Sequence, residues 1–337
     1  MRTLTKEEFK VFENIAKSTQ SQLQKNLYGA LKKYYNKVTY TKDYLIAHGD
    51  IPIALVAHMD TVRPKSPPTE IFYDREKNVM ISPQLLGADD RAGVFSILKI
   101  IVDGYRPHII FTTDEEIGCI GASILAGTPN PFEDLRYIIQ LDRRGANDCV
   151  FYDCDNPEFE KYVENFGFIT NFGSFSDIYD LCPAWGVAGV NLSIGYRDEH
   201  TVSEVLFVGH MFNTIKKVEK MLSEKNIPFF QYIPLITRNY SWMHSSGLCP
   251  SEEDYYDDYY KSSIYEDDDF FCKCAKCGNA YDFNDMLPVK LIKGGVGYYC
   301  PACLDYADWC QNCGEIYEID PQNNHGLCKE CEKKVKK

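Results

Sequence analysis

Two histidines and a set of carboxylates fall where apolar runs give way to loops. A continuous apolar run at residues 53–57 leads into His58, Met59 and Asp60. A second at 109–111 leads into Asp114, Glu115, Glu116, Ile117 and Gly118, and a third at 137–141 ends in Asp142. Between the first two lies Gly87-Ala88-Asp89-Asp90, opening a helical pattern, and His200 comes later, ahead of a last amphipathic segment. Imidazole and carboxylate are good Zn²⁺ ligands, and one carboxylate can bridge two ions about 3.5–4 Å apart. Two zincs would each need one His and one terminal carboxylate, plus a shared Asp and a shared water. His58 and His200, Asp142 and Glu116, and Asp89 as the bridge fill that inventory. Glu115, beside a ligand but outside the count, is then the general base for the shared water. The chemistry is hydrolysis, with a bridging hydroxide attacking a polarised amide carbonyl and Glu115 passing the proton to the leaving amine. Each piece alone has a plainer reading, such as a structural His58 or an Asp89-Asp90 helix cap. Their conjunction in one order favours the metal site.

The elements that must position these groups follow from the pattern. Thr5 and Glu8 have capping-box spacing, and Phe9, Phe12, Ile15 and Ala16 continue at helical intervals, so a helix opens the chain. The three apolar runs read as strands buried on both faces, separated by helix-like segments near 92–102 and 120–126. That alternation predicts an α/β domain with a mostly parallel central sheet and flanking helices. Ligands then gather outside the carboxyl ends of the strands although they lie far apart in the chain. Val205, Phe207, Met211, Ile215, Val218 and Met221 predict a closing helix reaching about residue 225.

His-x-Asp (His58, Asp60), Gly-Ala-Asp-Asp (Asp89, Asp90), Asp-Glu-Glu-x-Gly (Glu115, Glu116), Asp142 and His-Thr-x-x-Glu (His200, Glu204) stand in an order that resembles the co-catalytic zinc exopeptidases. That superfamily includes aminopeptidases, tripeptidases, carboxypeptidases and acyl-amino-acid amidohydrolases, and the resemblance spans residues 40–225. It implies that Asp60 assists catalysis by orienting His58, and that the Asp89-Asp90 peptide is cis. Members with an inserted lid carry it between the last two ligands, but only 57 residues separate Asp142 from His200. The chain therefore resembles the compact, lidless, aminopeptidase-like branch, which implies substrates with a free amino terminus. Without a lid donor, Arg143, Arg144, Tyr196 and Arg197 stay open as oxyanion groups. Residues 173–177 resemble a substrate-pocket loop, so Ser176 and Asp177, with Arg143 and Tyr196, are the expected substrate contacts.

The tail is a different material. Nine of the chain's 14 cysteines lie between Cys272 and Cys331. Eight form four Cys-x-x-Cys pairs: Cys274 with Cys277, Cys300 with Cys303, Cys310 with Cys313, and Cys328 with Cys331. Two knuckles hold a tetrahedral Zn²⁺, so two structural Cys₄ zincs of ribbon type are expected, whether paired sequentially or cross-braced. Cys272 and His325 are spare ligands. Residues 252–269 carry nine acids against one Lys, interleaved with tyrosines, and read as a solvated linker. The expected organisation is a catalytic domain at 1–230, a linker at 231–271 and a zinc-ribbon domain at 272–337.

Composition, at 45% hydrophobic and 25% charged, excludes collagen-like and wholly disordered chains. A net charge of −13 and the absence of an Arg cluster in the tail disfavour nucleic acid and anionic membrane as partners. No apolar run is long enough to span a bilayer and the first ten residues lack a leader pattern, so a reducing, cytoplasmic setting is expected. The expected partners are a peptide or acyl-amino-acid substrate and a protein docked on the tail. The competing reading is a catalytically silent binding or regulatory protein that keeps the peptidase fold and engages a protein or nucleic acid through the tail.

Overall fold

The structure is a computed structural model and describes residues 2–62, 67–173, 175–235, 271–282, 287–292, 296–300, 303, 306–310, 316–319 and 331–333. The chain divides into two units, Met1–Arg238 and Asn239–Lys337.

In the first unit, β3 (Ile51–His58), β6 (Pro107–Thr112), β7 (Tyr137–Arg143) and β10 (Gly189–Ser193) form the parallel centre of an eight-stranded sheet, in the order β6-β3-β7-β10. Antiparallel β2 (Tyr44–Ala47) and β1 (Val38–Tyr40) extend it beyond β6, and β8 (Asp148–Val150) and β9 (Ile169–Thr170) beyond β10. Successive side chains of a strand face opposite ways, and the continuous apolar runs use both faces. Leu55, Ile109, Phe111, Ile139 and Leu141 join one core with Phe95 and Ile97 of α3 (Ala88–Val102). Ala54, Val56, Ile110 and Ile138 join a second core with Leu125 of α4 (Ile120–Ala126) and Leu181 of α6 (Asp177–Trp185). The predicted α/β architecture with a mostly parallel sheet is the observed one.

The opening helix α1 (Lys6–Ala16) carries the full capping box: Glu8 N–H donates to Thr5 Oγ1 at 3.1 Å and Thr5 N–H donates to Glu8 Oε2 at 2.9 Å. Thr19 and Gln22 repeat the device at the start of α2 (Gln20–Leu31). The closing helix α7 (Val208–Leu222) starts later than its periodicity predicts. Val205 and Phe207 belong instead to β12 (Val205–Phe207), where Leu206 is buried between two half-buried neighbours. This strand pairs with β11 (Tyr196–Arg197) and with β5 (Val79–Ile81), and β4 (Phe72–Asp74) completes a small antiparallel sheet. A period of two competes with one of 3.6 over so short a stretch, and strand pairing decides it. α5 (Pro157–Glu164) begins on an Asn156 cap. Gln231 and Pro234, expected in the linker, form bridges to Val187 and Cys154. Residues 236–270, the rest of the predicted linker, lie outside the described residues. No described helix is long and apolar enough to cross a membrane.

In the second unit, β13 (Phe271–Lys273) and β14 (Ala280–Asp282) form a hairpin. The strands β15 (Leu287–Lys290), β16 (Val296–Tyr299), β17 (Ala307–Trp309) and β18 (Ile316–Glu318) make a sheet in the order β16-β15-β18-β17. The thiols of Cys274, Cys277, Cys300 and Cys303 lie within 4.8 Å of one another, so the first two knuckles come together. Burial pushes the Cys274 thiol up, but N–H groups of Cys277, Cys300 and Lys276 outweigh it and bring the pKa down to about 6. A thiolate is the form that binds metal. Cys310 and Cys331 are buried around Tyr317, while Cys313, Cys328 and His325 lie outside the described residues.

Candidate metal centre

His58 is the last residue of β3, Asp142 the sixth of β7, and Glu115 and Glu116 follow β6 in a loop entered through Asp114 at φ 57°. Asp89 stands in the first turn of α3, joined to Asp90 by a cis peptide, in accord with the resemblance. His200, at φ 64°, lies in the loop between β11 and β12. Topology thus carries six groups scattered over 143 residues of chain to one edge of the sheet.

Asp89 is the hinge of the arrangement. Its Oδ1 lies 3.2 Å from His58 Nε2 and its Oδ2 lies 3.2 Å from His200 Nε2. His58 Nε2 also faces Asp142 Oδ1 at 3.4 Å and Glu115 Oε2 at 3.8 Å, while His200 Nε2 faces Glu116 Oε2 at 3.0 Å. The donors of His58, Asp89 and Asp142 form one metal-sized group, and those of Asp89, Glu116 and His200 a second. Glu115 belongs to neither and stands beside the first.

Proton positions test whether a cation fits. Both oxygens of Asp60 accept backbone N–H groups, from Glu115 at 3.1 Å and Glu116 at 3.0 Å, which marks it as an ionised acceptor. His58 Nδ1 lies 3.2 Å from Asp60 Oδ1, so that nitrogen carries the proton. Nε2, turned toward three carboxylates, then holds either a second proton or, once that proton is lost, a lone pair for a cation. Such a set repels itself unless a positive charge sits among it, and Glu116 Oε1 is buried without a hydrogen-bond partner. The donor set therefore fits divalent metal.

The ionisation equilibria carry the same signature. Burial, reinforced by neighbouring carboxylates, pushes Glu115 well above the usual carboxylate range and raises Asp142 to about 6. Burial also raises Glu116, against the pull of its bond to His200. Bonds to Asp89 and Glu116 raise His200 to about 11. Burial opposes a charge on His58, yet Asp142, Asp60 and Asp89 outweigh it and hold its pKa well above the ordinary value. The cluster holds on to protons where a cation is called for.

Of the expected substrate contacts, Ser176 Oγ donates to Asp142 Oδ2 at 2.8 Å and lies 3.5 Å from Glu115 Oε1. Tyr196 OH donates to Asp142 Oδ1 at 3.2 Å. Both side chains are buried and fasten Asp142, helped by Gln140 Nε2 at 3.1 Å. Asp177 is fully buried, with Oδ2 accepting from Thr112 Oγ1 at 2.5 Å and Oδ1 unpartnered. Arg143 donates to the Phe172 carbonyl at 2.8 Å, and Arg144 pairs with Glu199 at 3.0 Å. Two further supports had no role assigned from the sequence. Glu204 accepts from Gly87 N–H at 2.6 Å and Asp89 N–H at 3.1 Å, pinning the loop that carries Asp89. Its only signal was the last position of His-Thr-x-x-Glu. Gln140 signalled itself by lying two residues before Asp142, on the same face of the strand.

No protein-family model matches the chain, and the search of curated proteins found no match. Solved structures do match. A TET aminopeptidase from a marine-sediment thaumarchaeote superposes with a TM-score of 0.53 at 13% identity, covering 66% of this chain and 98% of its own. The aminopeptidase PepT from Bacillus cereus gives 0.51 at 15% identity, covering 63% and 96%. A tripeptidase from Staphylococcus aureus gives 0.51 at 14% identity, with the same coverage. Over about two thirds of its length, this chain has the fold of these aminopeptidases and tripeptidases.

Proposed function

We propose that the chain is a zinc-dependent exopeptidase of aminopeptidase type, with its catalytic domain at 1–230, a linker at 231–271 and a zinc-ribbon domain at 272–337. The observation that carries the reading is Asp89, whose two oxygens face two different histidines, each accompanied by a further carboxylate. His58, Asp89 and Asp142 would hold one ion, and Asp89, Glu116 and His200 the other. Zinc bound there supplies Lewis acidity toward an amide carbonyl and acidifies a water.

The chain's own groups do the rest. Glu115 takes a proton from the attacking water at a carboxylate oxygen. As the new C–O bond forms and the C–N bond breaks, it returns that proton to the amine nitrogen, leaving a carboxylic acid and a free amine. In the metal-free chain burial, first among the causes, raises Glu115 well above the usual carboxylate range. Asp60 keeps His58 in one tautomer and orders the Glu115-Glu116 turn through both N–H groups. Ser176 and Tyr196 position Asp142. Cys274, Cys277, Cys300 and Cys303 would hold one structural zinc, and Cys310, Cys313, Cys328 and Cys331 a second.

The test is Glu115→Gln in the zinc-loaded chain. Peptide turnover falls about 10²–10⁴-fold while zinc content stays the same. Undiminished turnover at full zinc content refutes the mechanism. A panel of aminoacyl, dipeptide, tripeptide and N-acyl substrates, with turnover confined to free amino termini, supports the aminopeptidase assignment.

A further inference from the structure

Two glutamines on one face of α2 hold the residues that lead into Glu115. Gln20 and Gln24 are four positions apart, so they stand one above the other on the helix. Gln24 Nε2 donates to the Thr41 carbonyl at 3.1 Å, and its Oε1 accepts from Tyr40 OH at 3.2 Å. The turn held in this way presents the Asp43 carbonyl, which accepts from the N–H of Thr113 at 3.0 Å and from its Oγ1 hydroxyl at 2.9 Å. Gln20 meets the next residue. Its Nε2 donates to Asp114 Oδ1 at 2.8 Å, and Asp114 N–H donates to its Oε1 at 3.1 Å.

Asp114 needs such a partner. At φ 57° it occupies the left-handed region, which a residue with a Cβ keeps only where its surroundings hold it. From there the chain turns back: Ile120 N–H donates to the Asp114 carbonyl at 3.0 Å, and the N–H groups of Gly118 and Cys119 donate to the Glu115 carbonyl at 2.9 Å. Asp60 accepts the N–H groups of Glu115 and Glu116, so the base loop is held between Asp60 and α2. The junction of α1 and α2 is also tied to the loop of Asp89. The buried Arg91 guanidinium donates to the carbonyls of Ile15 at 3.3 Å and Ser18 at 3.2 Å. Residues 15–20 thus reach the loop of the bridging carboxylate through Arg91 and the loop of the base through Gln20.

We propose that Gln20 is a positioning residue for the general base, its paired hydrogen bonds with Asp114 setting the turn that aims Glu115 at the attacking water; the proposal rests on the peptidase reading above. Gln20 stands outside both metal-sized groups and acts through Asp114. A reacting group misplaced by about 1 Å can cost about 100-fold in rate, so loss of this clamp is read in kcat.

The test is Gln20→Glu in the full, zinc-loaded chain, which removes the donor and sets a second carboxylate against Asp114 Oδ1. Peptide turnover is expected to show a kcat lower by about 10–100-fold at unchanged KM and zinc content. Adding Asp114→Asn lets donor and acceptor change sides, and kcat is expected to return to within about threefold of wild type. In the Glu115→Gln chain, Gln20→Glu is expected to leave the residual kcat within about twofold, because residues that act through one group do not add. Backbone hydrogen exchange over residues 113–119, read without metal, is expected to quicken in Gln20→Glu and to slow again in the double variant. Undiminished kcat in Gln20→Glu overturns the proposal, and so does a fall explained by lost zinc. A fall of the same size in the Glu115→Gln chain also overturns it, because Gln20 would then act elsewhere. If no chain cleaves peptide, exchange decides. A rate raised by Gln20→Glu and restored by Asp114→Asn leaves the clamp standing while the peptidase reading fails, and an unchanged rate overturns the clamp.

Discussion

At the scale of single residues, the metal group works by sharing. Asp60 receives an imidazole and two backbone N–H groups, so its charge fixes a histidine tautomer and a loop at once. Asp60→Asn keeps the size and loses the charge. Zinc affinity measured by chelator competition is expected to fall about 10–100-fold. An unchanged affinity would remove Asp60 from the supporting structure. Asp177 gives a second prediction. Burial leads the causes that raise its pKa from 3.8 to about 7. The folded chain thus holds a proton that unfolding releases between those values, and stability falls as pH rises through that window, then levels. In metal-free protein, Asp177→Asn is expected to gain stability relative to wild type between pH 5 and pH 8, read from urea midpoints. A difference that stays constant across that range counts against the buried acid. The ligand types were legible in the sequence because metal chemistry restricts them to a few side chains. Ser176 and Tyr196 were singled out in the sequence, but their hold on Asp142 was not, since a hydroxyl has many uses and only packing selects one.

At the scale of elements, strand ends and helix starts do the positioning, and close approach of backbones sets the tolerance. A Cβ on Gly93 of α3 would lie 2.2 Å from the Leu141 carbonyl of β7 and 2.4 Å from Asp90 Oδ1. Gly93→Ala must therefore push α3, which carries Asp89, away from β7, which carries Asp142. Zinc binding and thermal stability are both expected to drop, and normal zinc uptake by a well-folded variant would contradict the close packing. Thr19→Ala, which removes a capping box, is expected to cost about 1 kcal/mol in urea unfolding. The three apolar strands and the opening helix were legible from period and caps. β10 was not, because Asn191 and Ser193 interrupt its apolar character. Both are buried, and Asn191 accepts the Asp142 N–H at 3.0 Å and donates to the Asp142 carbonyl at 2.9 Å. The strand departs from a simple hydrophobic pattern where it supports the site.

Across the whole molecule, two bodies of different composition share one chain. Deleting residues 272–337 is expected to spare hydrolysis of small peptides and to lower bound zinc by two per chain. Loss of small-peptide turnover in a folded truncation would contradict separate domains. The two metal groups also differ in how far apart their ligands lie along the chain. Cys274 and Cys303 are 29 positions apart, while His58 and His200 are 142 apart, with five strands of the main sheet, β6 to β10, to be laid down between them. Closing the longer loop takes more entropy, and parallel pairing over such distances is slow. An ion can gather the tail's first knuckles from a nearly unstructured chain, and so act early, as a template. The sheet-edge group has no such shortcut. Its ligands meet only once the strands that carry them are laid side by side, so a metal bound there would arrive late, after the body has folded.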